Sequence, residues 1–120
     1  MPIEIKNARI TSTMLGIEDH GIMSFSLSLD YGGSGQCAGG YALDEPIKDE
    51  KGHFVKRIGT AAGTKIIMEI LQVVGVGSWE ALKGQHIRAK SDHCRVYAIG
   101  NLLSDNWLDF GAFFKQADNT

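Results

Sequence analysis

The residues best suited to metal binding or nucleophilic chemistry are four histidines, His20, His53, His86 and His93, and two cysteines, Cys37 and Cys94. Metal sites announce themselves by ligand spacing, and neither an H-E-x-x-H pair nor a zinc-ribbon or C-x-x-C spacing occurs. Asp92-His93-Cys94 sets three ligand types side by side. Neighbours on a strand point to opposite faces, so the trio does not converge there. A nucleophile also needs a base and an orienter within reach, and no G-x-S-x-G elbow is present. Cys94, in phase with Val96 and Ala98, reads as a small, buried core residue. Cys37, in a Gly-rich segment, reads as the faster thiol. Glu18-Asp19 reads as part of a hairpin turn. The expectation is a chain with no catalytic residue, no metal and no cofactor.

Two other features could bind rather than react. The first is the stretch from Asp30 to Gly40, where glycines expose backbone donors and acceptors beside Asp30, Tyr31, Ser34 and Gln36. It lacks the Lys-Ser/Thr ending of a P-loop and precedes a strand, so no helix N-terminus is there to hold a phosphate. A small polar ligand is the alternative occupant. The second is the row Ser24, Ser26 and Ser28, which leaves a flat surface that a partner can approach closely. Lys, Glu or Thr are the more usual residues on a purely structural outer face. Ser24, Ser26, Ser28, Asp30, Tyr31, Ser34 and Gln36 are therefore the candidate binding residues.

These features need a scaffold, and the clearest part of it is the strand that carries the serines. Met23, Phe25, Leu27 and Leu29 alternate with them, the period of a sheet with one buried face. Ile3 to Ile10 also alternates but changes phase, and a bulge near Asn7 would bring Ile3, Ile5, Ala8 and Ile10 all to the core. Thr11 to His20 reads as a hairpin connection, and residues 35–43 as a returning strand. Residues 44–59 are polar and contain Pro46 and Gly52, which predicts an excursion loop.

Thr60 to Val74 repeats Gly63, Ile66, Ile67, Ile70, Leu71 and Val74 at helical spacing, with Thr60 as N-cap and Gly75 as stop. Gly63 is expected where the helix meets the sheet. Trp79 to Lys83 predicts a single-turn helix. Residues 85–89 and 94–102 predict two more strands, with His86, Arg88 and Lys90 pointing outward. Trp107, Phe110, Phe113 and Phe114 form an aromatic tail that caps the core, seals a homodimer or offers a partner-binding patch, and residues 115–120 are expected to fray. The class is α+β: one domain over residues 1–120, an antiparallel sheet of about five strands with one main helix on one face, in the order βββ-α-short α-ββ.

The bulk numbers narrow the partners. The 120 residues carry a formal net charge of -2, with no basic run, which disfavours nucleic acid. No apolar stretch approaches the ~20 residues needed to cross a bilayer. MPIEIKNARI is polar and alternating rather than a signal peptide, which gives a cytoplasmic expectation.

The segments Asp30-Tyr31-Gly32-Gly33-Ser34-Gly35-Gln36, Gly39-Gly40-Tyr41-Ala42-Leu43 and Ser78-Trp79-Glu80-Ala81-Leu82-Lys83-Gly84 resemble those of small hypothetical proteins from phage and prophage genomes. The resemblance runs from Ile5 to about Trp107. Cys37-Ala38 departs from the Gly and aromatic that follow Gly-Gln in such sequences. The resemblance implies no catalytic residue. It implies a phage accessory product, in an infected bacterial host, that binds and blocks a host protein such as an antiviral defence component, in the manner of an anti-CRISPR. The alternative is a protein or enzyme that takes a nucleotide-like ligand at residues 30–40.

Overall fold

The computed structural model describes residues 2–118. Its elements are β1 (Glu4–Asp19), β2 (Ile22–Asp30), β3 (Gly35–Ala42), β4 (Asp44–Lys48), β5 (Phe54–Gly59), α1 (Ala61–Val74), β6 (His86–Ser91), β7 (Val96–Asn101), β8 (Trp107–Asp109) and α2 (Phe110–Asp118). The class is α+β. Six antiparallel strands form one sheet in the order β3-β2-β1-β6-β7-β8, and β4 and β5 form a separate two-stranded ribbon. The expected count of about five strands and one main helix is thus too low, because the ribbon, β8 and α2 lie in stretches read as loop and tail.

The alternation in β2 behaves as read. Phe25, Leu27 and Leu29 are buried, while Ser26 and Ser28 are half-buried on the opposite face. The phase of β1 differs. Its bulge lies between Ile10 and Ser12, not near Asn7, so Ala8 and Ile10 face the core and Ile3 and Ile5 stay exposed. The chain also continues as strand through the stretch read as a connection, and the turn is only His20-Gly21. His20 (φ 54) and Gly21 (φ 72) are both left-handed there, as a two-residue hairpin turn requires.

Helix α1 has the predicted ends. The Thr60 hydroxyl accepts from Gly63 N at 2.9 Å, and Gly75 at φ 92 donates its N–H to Leu71 O at 2.8 Å. Gly63, Ile66, Ile70 and Val73 are buried, with Ile67, Leu71 and Val74 packed at the margin. The buried stripe is therefore turned toward Val73 from the expected face. Helix and sheet enclose one core, in which Phe25 meets Tyr41, Trp79 and Phe110 at ring separations of 6.3, 6.3 and 5.9 Å.

Residues 78–85 form successive turns instead of a helix, closed by Leu82 N to Trp79 O and Gln85 N to Leu82 O. This segment is pinned to β1 at its bulge, with Gly84 N to Ile10 O at 2.7 Å and Ile10 N to Gln85 O at 2.9 Å. The aromatic tail is helical in its second half: Asp109 caps α2 by accepting from Ala112 N at 2.9 Å. The helix includes most of the stretch expected to fray, and residues 119 and 120 lie outside the described residues.

The ribbon of β4 and β5 is tied down at its foot. Arg57 Nη2 donates to Asp44 Oδ1 at 2.9 Å, and Met23 N donates to Asp44 Oδ2 at 3.0 Å. Arg57 first, and the Met23 amide after it, hold the Asp44 carboxyl below its ordinary range. A carboxyl depressed in the folded state stabilises above its unfolded value of about 3.9, and that stability is lost as pH falls through the folded value. Wild type should therefore outlast Asp44→Asn in urea near neutral pH, and the gap should close below about pH 4. Urea midpoints across pH check this, and a gap that stays constant into acid would contradict the pairing.

Candidate functional site

Both helices and the hydrophobic core lie on one face of the sheet, so the opposite face is open. Strand register sets what it presents. On one half, Ser28 lies between Ser12 of β1 and Cys37 of β3, and Ser26 lies between Met14 and Gly39. Gly39, at φ 124, is closely packed on β2: an added Cβ would fall 2.4 Å from Phe25 O and 3.1 Å from the buried Phe25 ring. This half carries uncharged side chains, small apart from Met14.

The other half is cationic. Register places Arg9 opposite His86, Asn7 opposite Arg88, and Ile5 opposite Lys90. Trp107 of β8 pairs with Gly100 of β7, and its ring lies flat there; a Cβ on Gly100 would meet the ring at 2.7 Å. The Arg88 guanidinium and the Lys90 ammonium sit 4.7 and 4.2 Å from the Trp107 ring centroid. Arg88 is also fixed by Nε to Asn101 O and Nη2 to Ser104 O, both at 2.8 Å.

The sequence-predicted site residues divide in this frame. Ser26 and Ser28 stand on the open face. Ser24 is buried at 5% exposure, where β2 meets the foot of the ribbon, and is not available to a partner. Tyr31 and Gln36 are bonded within the fold: Tyr31 O–H donates to Gln36 Oε1 at 2.6 Å, and Gln36 Nε2 donates to Asp92 O at 2.7 Å. They stitch the β2–β3 loop to the β6–β7 turn, and burial pushes the Tyr31 phenol up from its ordinary pKa. Asp30 accepts from Gly32 N, and Tyr31 N donates to Ser34 O, so the Gly-rich loop uses two of its own amides internally. Ser34 is exposed at the tip.

Compared with protein-family models, curated proteins and solved structures, the chain matches none.

The remaining candidates are accounted for by structure. Cys94 is exposed in a turn, not buried in a strand, because β7 begins only at Val96. The Asp92 carboxylate organises that turn, accepting from Tyr97 O–H at 2.6 Å, Cys94 N at 2.8 Å and Arg95 N at 3.1 Å. These bonds, Tyr97 foremost, lower the Asp92 pKa and raise that of Tyr97. Among the described residues, no group of three or more His, Cys, Asp or Glu side chains could hold a metal ion. An open groove of about 940 Å³ runs between α1, α2 and the ribbon's foot. Of the carboxylates that line it, Asp44 and Asp109 are engaged by Arg57 and Ala112 N, and Glu45 and Glu69 stand beside Lys65 on the same lining.

Sequence reasoning placed Ser26, Ser28, His86, Arg88 and Lys90 on the outer face but missed Arg9 and Trp107. Arg9 depended on the β1 bulge position. Trp107 depended on pairing with Gly100, a glycine whose only sequence signal is its place in a strand.

Proposed function

We propose that this chain is a non-catalytic binding protein, a phage accessory product that lays its open sheet face on a host protein and occludes it. The observation that carries the reading is a six-stranded sheet with both helices and the core on one face and an open face on the other, uncharged along β2 and cationic along β6. Flat, closely approachable surface suits a protein partner, whereas a small ligand is usually enclosed in a pocket. The likeness of the Gly-rich and Ser78–Gly84 segments to phage proteins supports the same reading.

Ser26→Arg adds a long side chain between Met14 and Gly39 without touching the core. It is expected to leave Tm nearly unchanged and to abolish capture of whatever tagged wild type retains from host lysate. Capture unchanged in Ser26→Arg, with capture lost in a folded Phe113→Ala variant, would move the interface to the aromatic end of the molecule.

A further inference from the structure

We infer that the partner meets the cationic half of this face through carboxylates, so that Arg9, His86, Arg88 and Lys90 form a receptor for an acidic protein segment. This rests on the reading of the open face as the docking surface.

Arg9, Arg88 and Lys90 are fixed positive charges on two adjacent strands. Among the described residues, none of them, nor His86, has a carboxylate within ion-pair distance. Here Arg9 and Arg88 stand diagonally across two paired strands, and Arg88 and Lys90 stand two residues apart on β6, so each cation has a like charge as its next neighbour on this face. Anionic groups placed among them would relieve that repulsion. Arg88 is already held by two carbonyls, and Lys90 lies against Trp107. Cations fixed in advance lose less freedom on binding.

Carboxylates fit this surface better than nucleic acid does. A single-strand binder presents aromatic rings for bases to stack on. The Trp107 ring is instead seated on the Gly100 backbone with two of the protein's own cations over it. Asp30, opposite Arg9, and Asp109, opposite Ala98, stand on the same face and would repel a continuous phosphate backbone. Discrete carboxylates spaced along a protein segment can avoid them.

The test uses the intact chain with two labelled probes, a Glu-rich peptide and an oligothymidine of equal charge, at low and physiological salt. The peptide should bind saturably, more weakly as salt rises. Arg9→Glu and Lys90→Glu should each weaken it at least about tenfold, while Lys65→Glu, on α1, leaves it unchanged. Arg9 is exposed, so its variant remains informative even if Lys90→Glu disturbs the packing of Trp107. Absence of saturable peptide binding, or equal binding by the Arg9 and Lys90 variants, overturns the inference. Tighter binding of oligothymidine than of peptide also overturns it, in favour of nucleic acid. The two readings fail separately. If Ser26→Arg loses host capture while Arg9→Glu and Lys90→Glu keep peptide binding, the docking face stands without the acidic partner. If those two variants lose the peptide while Ser26→Arg keeps host capture, the receptor stands without the docking reading.

Discussion

Phe25→Ala is expected to lower the unfolding free energy by about 3–5 kcal/mol, the range for removing a large aromatic from a core. Phe25 is fully buried, and its ring is shared among Tyr41 of β3, Trp79 of the turn segment and Phe110 of α2. Its removal opens a cavity where three separate parts of the chain converge, so no single element can move in to fill it. Against a typical total stability of about 5–15 kcal/mol, the loss is a large share of what holds the fold together. Ser28→Ala, three residues along the same strand but on the open face, should change stability by no more than about 0.5 kcal/mol. Urea titrations of the two variants read the phase of β2 directly. Comparable losses from both, or a Phe25→Ala loss below about 1 kcal/mol, would mean that the aromatic cluster is not the centre of the core.

The phase of β2 was legible because one face is buried and the other is not, which forces strict alternation. Helix α1 was legible for a related reason: its apolar stripe and both caps are local signals. The ribbon was hidden because Phe54, Val55 and Ile58 are all exposed, so no face of β5 is buried to impose a period. The turns at 78–85 were misread as a helix because Ser78 and Gly84 mimic its caps, while the bonds that decide the matter run to Ile10 across the fold. The site divides along the same line. Ser26 and Ser28 follow from alternation within one strand. Their junction with Arg9 and Trp107 is a property of register between strands distant in sequence, which no local pattern contains.

That distinction is sharpest at Gly63, where local and tertiary preferences oppose each other. By helix propensity alone, Gly63→Ala should stabilise the chain by about 1 kcal/mol. The structure predicts the opposite sign. A Cβ at Gly63 would stand 2.3 Å from Leu43 O and 2.9 Å from Leu43 C, and these are backbone atoms that cannot swing aside. Leu43 O also accepts from Thr60 N and the Thr60 hydroxyl, both at 3.1 Å, while Leu43 N donates to Met23 O at 2.7 Å. Moving Leu43 would therefore strain the N-cap of α1 and the link to β2 together. Forcing extra volume into a packed site costs about 1–3 kcal/mol and occasionally more, which offsets the propensity gain and exceeds it when the obstacle is this rigid. Gly63→Ala should thus be less stable than wild type by about 1–2 kcal/mol. Gly33→Ala, whose Cβ would meet nothing within 4 Å, should stay within about 0.5 kcal/mol. Urea midpoints decide between the two preferences: a Gly63→Ala variant as stable as wild type, or more so, would show that α1 does not rest on Leu43.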